Sequence, residues 1–260
     1  MGILNVTPDS FSDGGQFDNL NIALRQAATM LDGGAAIIDI GGESTRPGAN
    51  SVSLQEELDR IIPVIEAVKS ITEVPVSVDT SKAEVMREAV AAGAGMINDI
   101  NALRGEGALQ AAADLNVPVC LMHMRGKPRT MQQSPHYDDV VAEVAAFLDE
   151  RIAACVEAGI PEDLIVVDPG FGFGKTHQHN VELLANLRQL HVRNRPVLVG
   201  VSRKSTLGDL TQREVHQRLP ASIAAAAVAV MNGADIIRAH DVQASVDALK
   251  VVRAALAASE

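Results

Sequence analysis

Two aspartates and an asparagine close three apolar segments of the sequence, and their residue types suggest a binding site. Asp79 ends "VPVSVD", Asn98 lies in "MINDI" and Asp168 ends "LIVVD". A carboxylate beside buried apolar residues is costly unless a partner satisfies it, and an amide can both donate and accept hydrogen bonds. We therefore predict that the three side chains bind a flat heterocycle edged with N–H groups. The alternative is that these side chains pair with a Lys or Arg inside the protein.

Cationic and amide side chains close three further apolar segments. Arg203 and Lys204 lie in "SRKS" at the start of a helical segment, Arg238 and His240 lie in "IIRAH", and Asn5 ends "GILN". A helix start that carries cations is suited to an anion, and Mg²⁺ prefers oxygen ligands while it retains waters. These residues predict a site for a polyanion together with a hard cation, and the anion would be a leaving group.

Two other motifs are similar to a phosphate-binding loop and to a metal site, but their residue spacing does not fit either. "DPGFGFGKT" at 168–176 ends like a phosphate-binding loop, but that motif needs Gly where Pro169 stands. We interpret it instead as a glycine-rich loop that lets a ligand approach Asp168. "HQH" at 177–179 has no third ligand at helical spacing, so we interpret it as a solvated loop rather than a metal site.

The elements that must position these residues alternate in type along the chain. Apolar, β-branched segments begin at residues 2, 36, 74, 96, 117, 164, 196 and 236, and helix-favouring, Ala-rich segments follow them. Eight strands each followed by a helix in about 250 residues indicate a (β/α)₈ TIM barrel, in which the strand ends converge on one mouth. An open doubly wound sheet is the alternative, because alternation alone does not show closure.

Two helix starts carry the S-x-x-E pattern of a capping box. Ser53 with Glu56 and Ser81 with Glu84 both fit it. Pro63 lies inside the first of these helices, so that helix is expected either to kink or to begin later.

Composition limits the class of protein. The formal net charge of −11 disfavours a nucleic-acid partner. No apolar run approaches the roughly 18 residues that span a bilayer, which predicts no membrane contact and a cytoplasmic location. Cys120 and Cys155 are the only cysteines and are expected to be buried reduced thiols. The length suits one domain over residues 1–260.

Taken in order, several motifs resemble the dihydropteroate synthase family nearly end to end. They are "NVTPDSFSDGG", "GGESTRPGA", "VDTSK", "NDI", "DPGFGFGK", "GVSRKS" and "RAHDV". The resemblance implies a pterin-binding barrel that condenses 7,8-dihydropterin-6-ylmethyl diphosphate with 4-aminobenzoate, giving 7,8-dihydropteroate and pyrophosphate. It also implies Mg²⁺ as cofactor, sulfonamides as inhibitors and a homodimer.

The resemblance further implies a role for each matching residue. Catalysis would depend on Asp79, Asp168 and Lys204. The pterin diphosphate would be bound by Thr45, Asp79, Asn98, Asp168, Lys204, Arg238 and His240. Aminobenzoate would meet Phe11, Arg46, Pro47, Phe171 and Ser202 when two mobile loops fold over it. Mg²⁺ would be coordinated through Asn5 and the leaving group.

The sequence alone leaves two other functions as alternatives. A pterin-dependent methyltransferase barrel would share the Asp and Asn contacts but has no use for "STRPGA" or for a diphosphate site. A pterin-binding protein without catalysis would not need a Mg²⁺ ligand at Asn5. The second loop, "STRPGAN", lacks the inserted residue that would resemble sulfonamide-insensitive members of the family, so the resemblance implies sensitivity to sulfonamides.

Overall fold

The computed structural model describes residues 1–7, 16–44, 52–126 and 130–258. Within these ranges the chain forms eight β-strands, each inside an apolar segment predicted from the sequence. They are β1 (Gly2–Asn5), β2 (Ile38–Gly41), β3 (Val76–Asp79), β4 (Met96–Asp99), β5 (Val119–Met122), β6 (Ile165–Asp168), β7 (Leu198–Val199) and β8 (Ile236–Ile237).

Helices alternate with the strands. In the described ranges they are α1 (Gln16–Asp32), α2 (Leu54–Ile71), α3 (Ala83–Ala91), α4 (Ala108–Leu115), α5 (Val140–Glu157), α6 (His177–Ala185), α7 (Ser205–Thr211), α8 (Leu219–Met231) and α9 (Val242–Ala257). One follows every strand except β7, which is followed by both α7 and α8. Among the residues described, no helix is both long and apolar enough to span a membrane.

The strands form a closed parallel ring. β1 to β6 pair in sequential order, and β7 pairs with β8. Parallel bridges join Val167 to Val197 and Gly2 to Ala239, so the sixth strand meets the seventh and the eighth meets the first. A doubly wound sheet would reverse its strand order at a switch point. The barrel prediction is confirmed and the open sheet was the wrong alternative.

Alternation along each strand decides which side chains enter the barrel. Ile40 and Ile97 belong to the main core between strands and helices, whereas Met96 and Cys120 belong to a separate inner cluster. Because successive strand side chains point to opposite faces, the inner face carries a polar set. Asp79, Asn98 and Asp168 lie at the mouth end, and Asp39 and Ser77 lie two residues deeper along their strands.

The two capping predictions had different outcomes. Ser53 Oγ accepts a hydrogen bond from the Glu56 N–H, so Ser53 caps α2 as predicted, whereas the Glu56 carboxylate pairs with Arg60. Ser81 does not cap α3, because its hydroxyl donates to Asp99 and Lys82 occupies the N-cap position. The α2 helix begins at Leu54 and continues through Pro63, so of the two alternatives, a kink or a later start, the later start is excluded.

Candidate active site

Three buried polar side chains stand at the mouth ends of β3, β4 and β6. Asp79, Asn98 and Asp168 are exposed by 8%, 5% and 6%. Asp79 and Asn98 are register partners on adjacent strands, so these two strand ends are neighbours at the mouth. Asp168 lies across the mouth, where it interacts electrostatically with Arg238 and Lys204.

Arg238 links two carboxylates inside the barrel. Its Nε donates to Asp39 Oδ2 at 2.6 Å, and its Nη2 donates to Asp79 Oδ2 at 2.8 Å. Asn98 Nδ2 donates to the same Asp39 oxygen at 3.1 Å. For Asp79 the structure therefore shows the internal ion pair that the sequence left open as an alternative.

Burial raises the pKa of Asp79 to about 7, and the neighbouring Asp39 adds to this while Arg238 opposes it. Burial also disfavours the charge on Arg238, yet Asp39 and Asp79 outweigh it and raise the guanidinium pKa above its ordinary value. The cation is thus permanent, whereas the proton on Asp79 is exchangeable near neutral pH.

Asp39 was not assigned a role from the sequence. It lies in the middle of "IDIG" and is wholly buried. A carboxylate at the centre of an apolar strand is the signal that could have identified it.

Asp168 is held by the loop that follows it. Its Oδ1 accepts a hydrogen bond from Gly170 N at 2.7 Å. Burial raises the pKa of Asp168, while Gly170, Lys204 and Arg238 partly offset that shift. The Lys204 ammonium lies 4.3 Å from the centre of the Phe173 ring and interacts electrostatically with Asp168.

Lys175 anchors the same loop, and sequence reasoning gave it no role. Its Nζ lies 2.8 Å from His123 Nδ1, 2.9 Å from Gly170 O and 3.1 Å from Phe173 O. Burial lowers the pKa of Lys175 to about 7, and burial with Lys175 nearby lowers the pKa of His123 to about 2. His123 is therefore a neutral acceptor. The lysine thus contacts the backbone carbonyls of its own loop.

The glycines of this loop allow it to pack against β5. Gly170 has φ +67°, and a Cβ built there would lie 1.8 Å from His123 O. Gly174 has φ +65°, and its carbonyl accepts from Tyr137 Oη at 2.8 Å. Only glycine fits at residue 170, which explains how the loop stays close enough to present Asp168 to the mouth.

Ser202 and His240 form a second polar pair on the mouth side of β7 and β8. His240 Nδ1 lies 3.0 Å from Ser202 Oγ, and the His240 N–H donates to the same oxygen at 3.2 Å. Burial, Arg203 and Arg238 lower the pKa of His240 to about 4, so the ring is neutral at physiological pH. Arg203, grouped with Lys204 from the sequence, forms a bidentate pair with Asp241.

The remaining predicted residues are placed as follows. Asn5 ends β1 on the mouth side. Phe171 is buried in the main core, whereas Phe173 packs with three methionines at the mouth. Phe11, Thr45, Arg46 and Pro47 lie outside the described residues.

The "HQH" segment is not a solvated loop, because it begins α6. Thr176 is the N-cap residue, and its side chain and that of His179 form a reciprocal capping box. Among the described residues, no group of three His, Cys, Asp or Glu side chains could hold a metal ion.

The site can hold a flat polar ring on its buried oxygens. The basic side chains of Arg238 and Lys204 interact electrostatically with these carboxylates, and Ser202 with a neutral His240 lies beside them. Such an arrangement can bind a ligand that has N–H donors at one end and an anionic group at the other.

Comparison with known proteins gives a consistent result. The family model described as "Pterin binding enzyme" matches residues 1–240. The dihydropteroate synthase of Escherichia coli is 56% identical over 260 residues, which cover all of this chain and 92% of that protein.

Solved structures agree with the sequence match. The Yersinia pestis dihydropteroate synthase, solved with a sulfonamide drug complex, superposes with a TM-score of 0.95 at 54% identity, covering 99% of this chain and 94% of that one. The Xanthomonas albilineans dihydropteroate synthase in complex with 7,8-dihydropteroate gives a TM-score of 0.90 at 52% identity, covering 99% and 93%.

Proposed function

Because the chain belongs to the dihydropteroate synthases of the pterin-binding enzyme family, we propose that its barrel mouth condenses 7,8-dihydropterin-6-ylmethyl diphosphate with 4-aminobenzoate. The C–O bond between the pterin methylene and the diphosphate breaks, and a C–N bond to the aromatic amine forms. The amine loses one proton, and pyrophosphate leaves with the electron pair of the broken bond. A methyltransferase barrel or a binding protein without catalysis is not favoured by these relatives.

One observation carries the residue assignment: three buried polar side chains converge on one mouth. Asp79, Asn98 and Asp168 are each less than a tenth exposed. Asn98 gives its N–H to Asp39, so its amide oxygen is directed away from Asp39 and can accept from a ligand. A pterin edge is rich in N–H donors, and it would satisfy oxygens that water can barely reach.

The charges on the pterin methylene and on the diphosphate can both be stabilised by side chains of this site. As the diphosphate departs, positive charge develops on the pterin methylene, and Asp79 and Asp168 can stabilise it electrostatically. Arg238 and His240, with Asn5, would bind the diphosphate, His240 as a neutral N–H donor because its pKa is lowered. Lys204, held over the Phe173 ring, would bind the pterin beside Asp168.

The donor set fits Mg²⁺ as an ion carried mainly by the substrate. The described residues offer no three-ligand cluster, and Asn5 contributes a single hard oxygen at the end of β1. Mg²⁺ commonly keeps several waters and uses substrate phosphates as ligands. When bound, the ion supplies Lewis-acid stabilisation of the leaving group.

The aminobenzoate would enter beside Ser202 and Phe171, with Phe11, Arg46 and Pro47 of the first two loops completing its pocket. Ser202 is buried next to His240, close to the proposed diphosphate site. The sulfonamide-bound Yersinia pestis relative supports inhibition by the same class of drug. Both described cysteines are buried free thiols, which supports a cytoplasmic location.

We expect pyrophosphate release from the pterin diphosphate only when Mg²⁺ is present, and faster release when 4-aminobenzoate is added. The physical reason is that the leaving group needs its charge neutralised, and the amine captures the pterin cation. A pyrophosphate assay under the four combinations of Mg²⁺ and aminobenzoate measures this, with heat-inactivated protein as control. Pyrophosphate release at the same rate with and without Mg²⁺ would contradict the metal assignment. No release in any combination would contradict the synthase function.

A further inference from the structure

Asp39 is the most deeply buried charged group of the barrel interior. It is wholly inaccessible and lies between Ile3 of β1 and Ser77 of β3 in the strand register. Its Oδ2 accepts from Arg238 and Asn98, while its Oδ1 has no hydrogen-bond partner in the part of the chain that is described. In the proposed reaction this carboxylate makes no contact with the substrate.

The first consequence of Asp39 concerns the Arg238 side chain. The guanidinium is planar and donates in fixed directions, so two acceptors define its orientation. Its Nε is directed at Asp39 and its Nη2 at Asp79, at 2.6 and 2.8 Å. Without Asp39 the guanidinium would keep one partner and could rotate about it.

The second consequence concerns the Asn98 amide. Either end of an amide can face a ligand unless a hydrogen bond fixes it. Asn98 Nδ2 donates to Asp39 Oδ2, which accepts and cannot donate while ionised. The amide oxygen is thereby held as the acceptor of the site. An enzyme with the opposite amide orientation would offer a donor where a pterin also has donors.

We propose that Asp39 is a positioning residue of the pterin site, which fixes the orientation of both Asn98 and Arg238 without touching the substrate. The proposal rests on the proposed function, because it assigns Asp39 to the recognition of the same pterin. A purely structural ion pair would stabilise the barrel equally well, and the test must separate these two roles.

The pH dependence of pterin binding distinguishes a positioning role of Asp39 from a purely structural one. The charged groups facing Asp79 are Arg238, which lowers its pKa, and Asp39, Asp99 and Glu57, which raise it. Removing the Asp39 charge therefore lowers the pKa of Asp79 from about 7. If an ionised Asp79 accepts the pterin N–H groups, binding is lost as pH falls through this pKa, and the loss moves to lower pH in the variant.

The experiment compares Asp39→Asn with Ser77→Ala in the full chain. Asn is isosteric with Asp, so the barrel layer keeps its shape while the charge is lost. Ser77 is the register partner of Asp39, equally buried, and its hydroxyl has no hydrogen-bond partner among the described residues. We expect Asp39→Asn to lower kcat/KM for the pterin diphosphate by about 10-fold and to shift the acid limb of its pH profile down by about 1 unit. Ser77→Ala should change neither.

Arg238→Lys tests the orientation independently of whether Asp39→Asn folds. Lysine keeps the charge but lacks the planar fork that reaches two carboxylates. We expect weaker binding of the pterin diphosphate, because the lysine ammonium cannot hold both Asp39 and Asp79. The proposal is overturned if the wild type is active while Asp39→Asn, folded by its melting temperature, matches Ser77→Ala in both readouts, or if Arg238→Lys binds pterin like the wild type. An inactive wild type would instead refute the proposed function.

Discussion

Asp168→Asn is expected to weaken binding of the dihydropterin diphosphate by roughly 30- to 150-fold, which corresponds to about 2–3 kcal/mol. Asp168 is 6% exposed, and its Oδ1 already accepts from Gly170 N. An asparagine that keeps this bond must turn its NH₂ group towards the ligand, where a donor meets the N–H donors of the pterin. The loss therefore exceeds that of one neutral hydrogen bond.

Isothermal titration calorimetry of the variant with the pterin diphosphate measures this loss. Asp149→Asn is the matched control, because Asp149 pairs with Arg193 on an outer helix and is half exposed. Surface pairs contribute little, so the control should bind within twofold of the wild type, about 0.4 kcal/mol or less. Unchanged affinity in Asp168→Asn would show that the pterin does not use this carboxylate.

Arg238→Met is expected to destabilise the fold by about 3–5 kcal/mol at pH 8, because it leaves Asp39 and Asp79 buried without their cation. For a chain of this length we expect the melting temperature to fall by about 10 °C. Methionine occupies a similar volume, so packing changes are minor compared with the electrostatic cost.

The pH dependence of this loss has a definite sign. Burial already raises the pKa of Asp79 to about 7 with Arg238 present, and removing the cation raises it further. A carboxyl whose folded pKa exceeds its unfolded value destabilises the fold above the folded pKa, and the cost fades as pH falls towards the unfolded value. The deficit of Arg238→Met should thus shrink between pH 8 and pH 5.

Thermal melts across this pH range test the prediction. Arg193→Met is the control, since it removes the exposed partner of Asp149 and should leave the melting temperature close to that of the wild type at every pH. A deficit in Arg238→Met that is small, or that grows on acidification, would contradict the assignment of Arg238 as the counter-ion of two buried carboxylates.

The barrel and its mouth could be predicted because local sequence determines them. Strand residues that pack against helices are continuously apolar, so the strand ends are visible as the points where Asp79, Asn98 and Asp168 appear. Once closure of the ring is assumed, their convergence follows from topology. The resemblance to a known family then supplied the chemistry, while one domain over residues 1–260 and the homodimer stay predictions.

The polar contacts between strands could not be predicted, because they depend on partners far apart in the chain. Arg238 meets Asp39 across 199 residues, and Lys175 meets His123 across 52. Ser81 shows the same limit on a smaller scale. Its local pattern favoured a helix cap, but Asp99 of the next strand is a charged acceptor and takes the hydroxyl instead.

A crystal structure of the protein with bound 7,8-dihydropterin diphosphate tests the central claim most directly. We predict that the N–H edge of the pterin lies within about 2.7–3.2 Å of oxygens of Asp79, Asn98 and Asp168, with the diphosphate towards Asn5, Arg238 and His240. A pterin bound at the opposite end of the barrel, or at the mouth without contact to any of the three buried oxygens, would contradict this account.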